Sequence, residues 1–356
     1  MSPNNGGRLI FLDYMRVFAF VSVLIGHKFL GELTAAANNQ SFHITIRYLF
    51  EALVPLCTGA AGVVVFFITS GYIISHVLQK ETTTAFIIKR IFRIYPLYIF
   101  AILCETFMAW YFNGIPVPPI SIMAPKLLLI GDFFEIPNAL SGVDWTLRIE
   151  ILFYVLMAIF KSAGLFANQK LLPLAYLVVS IALYIAPTFP GVGHWNAAYV
   201  NAYSLFLFIG ALIYLSQQAL ASRAMCISVG SILLLMFLIK ISEFQPSWKE
   251  SNYAVFALAL FLGALHYAPR LKDGFVIRVV SDLTYSVYLF HNWIWQYIEK
   301  PVNSLGLSNI YSKLLIALVL FLICYALHNT VEKLGLAVGK ILMNKYHPKT
   351  NSAAIA

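Results

Sequence analysis

One apolar run, LIFLDYMRVFAFVSVLIGHKFL, residues 9–30, carries Asp13, Arg16 and His27 among its ionisable side chains. Ionisable groups at membrane depth are costly, face a protein interior or a wet cavity, and mark function by default. At about 100° per residue, the step from Arg16 to His27 returns to nearly the same helix face and advances about 16 Å. Asp13 stands one turn before Arg16 on that face. A neutral imidazole at the far end can take a proton from an attacking hydroxyl. The plainer reading is an interfacial histidine that only caps, beside an Asp13–Arg16 pair that only pins helices.

Four further clusters carry polar groups into apolar surroundings. In GAAGVVVFFITSGYII, residues 59–74, the small positions Gly62, Ser70 and Gly71 permit close helix contact or leave a slot lined by Thr69 and Ser70. In FIIKRIFRIYPLYIF, Lys89, Arg90 and Arg93 precede Pro96. From charge alone, anchoring to anionic lipid is favoured. Arg90 and Arg93, one turn apart, also have the geometry of a phosphate clamp. In DWTLRIEILFY, Asp144 or Thr146 is suited to cap a helix and Trp145 follows the first of them. Glu150 then lies inside a span and needs solvent or a partner. Arg148 is too near in sequence to share its face, so Arg16 from another helix is the more natural partner. In TYSVYLFHNWIW, Ser286, Tyr288 and His291 share a span; His291 is a ligand contact or a satisfied core histidine.

The elements that must position these groups follow from composition. Of 356 residues, 60% are hydrophobic and 11% charged, with a mean hydropathy of +0.80. No soluble domain of this size has that balance. Runs near 20 residues predict an all-α polytopic membrane protein, since a barrel shows short alternating segments. Ten spans are expected, at 9–30, 56–78, 94–113, 143–160, 171–187, 199–216, 225–242, 253–268, 279–299 and 310–331. Segments 47–58 and 125–131 read as half-helices or interfacial pieces. Placing the N-terminus in the cytoplasm puts fifteen Lys and Arg inside and seven outside, as the positive-inside rule favours. Both termini are then cytoplasmic. The first run is too long and too charged for a cleavable signal. Residues 1–343 form one membrane domain and 344–356 a short polar cytoplasmic tail, with no appended soluble domain expected.

The formal charge of +9 reads as cytoplasmic loop bias rather than nucleic-acid binding. Cys57, Cys104, Cys226 and Cys324 read as apolar packers. There is no GxxxxGK[ST], GxSxG, HExxH or paired CxxC, which argues against a P-loop, a hydrolase elbow and a metal site.

Together and in this order, LDYMR…GH, GVVVFFITSGYII, KRIFRIYPLY, W-T-L-x-x-E-x-x-FY and YSVYLFH resemble the acyltransferase-3 family of multi-spanning membrane acyltransferases. The resemblance implies transfer of an acyl group, commonly acetyl, from a coenzyme A thioester to a hydroxyl of a cell-envelope or exported glycan. It makes His27 the catalytic histidine and Arg16 its motif partner. It matches Arg90 and Arg93 to the basic motif that meets the cofactor phosphates, and Glu150 to the motif glutamate. Position 151 is Ile where many relatives carry a second acidic residue, and the C-terminal hydrolase-like domain of many relatives is not expected here.

These readings combine into one expectation: a membrane O-acetyltransferase that uses no metal, in a bacterial inner membrane. Acetyl-CoA docks at Lys89, Arg90 and Arg93, and its pantetheine arm runs past Gly62, Ser70 and Gly71. His27 acts as general base, with Arg16 and Glu150 in the catalytic set. Asp13, Trp145, Tyr288 and His291 meet the glycan or lipid-linked sugar. Membrane lipids are partners. The competing expectation is a carrier for a lipid-linked sugar or small solute, with no covalent step.

Overall fold

The computed structural model describes residues 8–191, 198–247 and 251–346. Among them every regular element is helical. The first half comprises α1 (Ile10–Lys28), α2 (Leu30–Asn38), α3 (Ile44–Leu53), α4 (Ala60–Leu78), α5 (Thr83–Asn113), α6 (Ile120–Leu127) and α7 (Trp145–Ser162). The second comprises α8 (Leu172–Ile185), α9 (Tyr199–Gln217), α10 (Arg223–Ser242), α11 (Tyr253–His266), α12 (Phe275–Phe290), α13 (Trp295–Asn303), α14 (Asn309–Leu327) and α15 (Lys333–Tyr346). A π-turn at His328–Glu332 joins the last two.

Five helical stretches are long and apolar enough to cross a membrane: α1, α4, α9, α10 and the continuous run Asn309–Lys345. Each of the ten expected windows holds a helix, and three of the boundaries differ by more than five residues. The third begins at Thr83 rather than residue 94, because the Thr82 side chain caps it by accepting from the Ala85 N–H. The basic motif is therefore inside the helix, where long Lys and Arg stems can lie along apolar surface. The ninth ends at Phe290, and turn residues 291–294 separate it from α13. The last continues past residue 331 and past the expected tail start at 344, as far as Tyr346; residues 347–356 of that tail lie outside the described residues. Segments 47–58 and 125–131 hold the ends of short helices, α3 with a 3-10 turn and α6 respectively.

Helices α4 and α9 form the centre, with 78% and 89% of their apolar windows buried, while α10 and the run from Asn309 are peripheral at 28% and 22%. Small residues set the central crossing, as expected where lipid gives helices no hydrophobic reason to associate. A Cβ on Gly71 would lie 1.9 Å from the Leu207 carbonyl oxygen, and one on Gly210 would lie 2.1 Å from that of Ile68. Gly71 thus faces α9. Gly71→Ala should separate the central pair and cost about 1–3 kcal/mol, the usual penalty of overpacking. A thermal melt in detergent measures it; an unchanged midpoint would show that the crossing tolerates the methyl group.

The C-terminal end of α1 is built the same way. A Cβ on Gly26 would sit 2.5 Å from the Gly59 nitrogen, so the glycine beside His27 lets α1 press on the start of α4. Helix α15 packs on α5 through Gly335 against Pro96 and Gly339 against Phe92. Lys313, near the start of α14, donates to Glu32 and to the Lys28 carbonyl, and its ammonium holds the Glu32 carboxyl below its ordinary value.

Candidate active site

Helix α1 presents Arg16, Ala19, Phe20 and Val23 to a cavity of about 110 Å³ in the bundle. Their spacing keeps them on one face, and His27 is the next position along it. Helix α4 supplies Gly62, Phe66, Thr69 and Ser70; α5 supplies Arg90 and Arg93; α7 supplies Glu150 and Tyr154; α12 supplies Tyr285 and Tyr288. The cavity therefore gathers five separate sequence clusters.

Glu150 is 6% exposed. Its Oε1 accepts from Ser70 Oγ and from Tyr154 OH, each at 2.5 Å. The expected pairing with Arg16 does not form: Arg16 contacts Asp13 at 3.5 Å instead. Hydroxyl donors satisfy the carboxyl group because α4 carries Ser70 directly opposite α7, while Arg16 looks toward the cavity mouth.

The mouth is a wider cavity of about 610 Å³ that shares Arg16, Ile73, Arg90 and Arg93 with the inner one. Arg8, Lys89 and Lys340 complete its basic wall, against a single acidic residue, Asp282. Several of these cations already hold carboxylates. Lys89 meets Glu81 at 2.5 Å and Arg93 meets Glu332 at 2.7 Å. Arg90 makes no ion pair among the described residues; its guanidinium lies 5.7 Å from the centre of the Phe86 ring. Arg90 also borders a third, apolar groove of about 960 Å³ between α5 and α7. Ile151 lines that groove, which suits an apolar side chain at this position.

At the opposite end the inner cavity stops at Val23 and Tyr288, about one helical turn short of His27. His27 is an exposed residue at the end of α1, with one side of its ring turned to the interior. Its centre lies 5.2 Å from that of His291, which is 1% exposed and 6.0 Å from the Tyr288 ring. Tyr288 OH shares a hydrogen bond with Thr146 and donates to the Val143 carbonyl.

Besides His27, four of the expected site residues stand outside the cavities, among them His291, which lies buried beside His27. Asp13 is 2% exposed and outside the cavity, because Arg8 donates twice to it and Ser281 once. Trp145 packs against Phe67, Tyr199 and Tyr203 in the aromatic core. Gly71 serves the α4–α9 crossing. The cap expected from Asp144 or Thr146 is absent, since no side chain caps α7.

Asp144 instead belongs to a buried network that the expectations missed. Arg148, 1% exposed, binds Asp144 and Asp132, and Tyr199 donates to Asp132. The network holds the 129–144 segment, where Leu129, Glu135, Leu140 and Ser141 all have φ between 53° and 58°. The i, i+4 spacing of Asp144 and Arg148 was its available signal. Glu332 was missed as well: it lies in the π-turn and accepts from Ser286. Such turns occur often at functional sites, yet nothing in the local sequence marks one.

The model of the acyltransferase-3 family, described as an acyltransferase domain, matches residues 9–329. The chain belongs to this family. Acyltransferase-3 proteins are membrane-associated, and the apolar helices above agree. The chain is 26% identical over 304 residues to the exopolysaccharide production protein ExoZ of Rhizobium meliloti (strain 1021), covering 77% of this chain and 84% of that protein. It is 23% identical over 320 residues to the acyltransferase MdmB of Streptomyces mycarofaciens, covering 82% and 80%. No solved structure matches it. Among the described residues no group of His, Cys, Asp and Glu is arranged to hold a metal ion.

Proposed function

We propose that this acyltransferase moves an acyl group, acetyl as the family resemblance suggests, from acyl-CoA to a hydroxyl of a cell-envelope or exported glycan. One observation carries the reading: two adjoining cavities, which share Arg16, Ile73, Arg90 and Arg93, reach from a strongly basic wall to within a turn of His27. The polyanionic end of coenzyme A suits that mouth, where Arg90, free of carboxylates, offers a planar fork to phosphate. Lys89 and Arg93 would exchange Glu81 and Glu332 for the cofactor. The pantetheine arm would thread past Ser70 and Glu150. To reach His27 it must part Phe66 and Tyr288, whose rings stack at 5.9 Å. His27 would then take the hydroxyl proton as the oxygen attacks the thioester carbonyl, and proximity would supply much of the rate.

The charge bias of the loops supports a cytoplasmic mouth, both termini inside and an inner-membrane location in a bacterium. Ten crossings and a single catalytic unit over residues 1–343 accompany that reading. The name of the ExoZ relative supports a glycan acceptor. Family membership favours covalent transfer over the carrier alternative.

Labelled acetyl-CoA, purified protein and a surface glycan test the proposal. Arg90→Ala should raise the KM for acetyl-CoA by about 10–100-fold, since a hydrogen bond to a charged group contributes roughly 1.5–3 kcal/mol. Unchanged affinity in a titration would assign Arg90 to lipid anchoring. Movement of unmodified sugar without labelled product would return the carrier reading.

A further inference from the structure

His291 lines none of the cavities above, yet it holds an unused acceptor in the interior. Its Nδ1 lies 2.8 Å from the Tyr288 carbonyl oxygen. A carbonyl oxygen has no proton to give, so Nδ1 carries the hydrogen and Nε2 carries the lone pair. That Nε2 is buried and has no hydrogen-bond partner. A buried polar atom without a partner calls for an explanation. The facing ring is His27, with centres 5.2 Å apart and planes inclined by 55°. The His27 ring itself makes no hydrogen bond among the described residues.

The surroundings fix this arrangement. Tyr288, which holds Nδ1, is tied through its hydroxyl to Thr146 and Val143. Asn292, the next residue after His291, accepts from Lys28 at 2.9 Å and donates to the Ser141 carbonyl at 2.8 Å. The His291 turn is thereby bound to the same end of α1 that carries His27.

We propose that His291 is the positioning partner of His27: its Nε2 accepts an N–H from His27 and holds the imidazolium formed during transfer. The inference rests on the reading of His27 as general base. In the reaction the hydroxyl oxygen bonds to the acyl carbon and the C–S bond breaks. The hydroxyl proton passes to His27 and then to the thiolate of coenzyme A. His291 neither gains nor loses a proton. It does for His27 what a carboxylate does in many histidine-dependent enzymes, with a neutral acceptor in place of a charge.

The test compares His291→Phe, which keeps bulk and removes the acceptor, with His291→Gln, which restores an acceptor oxygen near the same place. Purified proteins are assayed with acetyl-CoA and glycan, and ¹⁵N-histidine spectra of the unmodified protein report the tautomer. His291→Phe should lower kcat by about 10–100-fold, a share of the roughly 10²–10⁴-fold that general-base catalysis supplies. KM for acetyl-CoA should stay within about twofold, since His291 is remote from the basic mouth. His291→Gln should recover most of the loss, and the spectra should show hydrogen on Nδ1. Unchanged kcat in His291→Phe, a Gln variant no better than Phe, or hydrogen on Nε2 would overturn the inference. If His291→Phe does not accumulate, the Gln variant and the tautomer decide. An inactive His27→Ala with a fully active His291→Phe would remove this inference alone, whereas an active His27→Ala would remove the base assignment beneath it.

Discussion

His27→Ala is expected to lower acyl transfer by about 10²–10⁴-fold, the usual contribution of a positioned general base. The protein should still fold. His27 is exposed at the end of α1, so its removal opens no interior cavity and leaves no buried charge unpaired. Acetyl-CoA binding should survive as well. The basic mouth begins near Arg16, about 16 Å along the helix from His27. The variant therefore separates cofactor capture from chemistry: Kd for acetyl-CoA near that of the unmodified protein, with kcat lost. A transfer rate within about threefold of the unmodified enzyme, far inside that range, would exclude His27 as the base.

The largest loss of stability is expected at Arg148. Its guanidinium is 1% exposed and bridges Asp132 and Asp144, both nearly inaccessible. Arg148→Met strands two buried carboxylates. Breaking a buried ion pair from one side typically costs about 3–5 kcal/mol, enough to empty the folded state of many domains. The strained 129–144 segment would lose its anchor together with Ala139, whose N–H donates to Asp144. Arg148→Met with Asp132→Asn and Asp144→Asn should recover much of the loss, because no charge then remains unpaired. Thermal melts and expression levels in detergent read both variants. A stable single variant, or a triple variant no better than the single, would show that charge compensation is not what the network supplies.

The helical class and the family were legible because membrane composition and ordered short motifs survive without any knowledge of contacts. So was the shared face of Arg16 and His27, which depends only on helix period. What escaped was set by neighbours. Gly71 reads as a slot or as a contact until α9 is seen against it. Glu150 needed a partner, but only the packing of α4 on α7 selects Ser70 over Arg16. Asp13 is held outside the cavities by Arg8, which precedes the helix and folds back on it. Arg148 was dismissed for standing too close to Glu150, while its spacing to Asp144 pointed elsewhere. Ends of helices moved where a cap or a turn outweighed hydropathy, as at Thr82 and at residues 291–294.

The central claim is that a thioester enters at the basic mouth and is consumed at the opposite end, beside His27. Oriented vesicles test it directly. Labelled acetyl-CoA is supplied only at the face carrying Arg90, and glycan only at the face carrying His27. The account predicts labelled acetyl on the glycan across the bilayer, abolished by His27→Ala. Product formed only when donor and glycan share one face would contradict it.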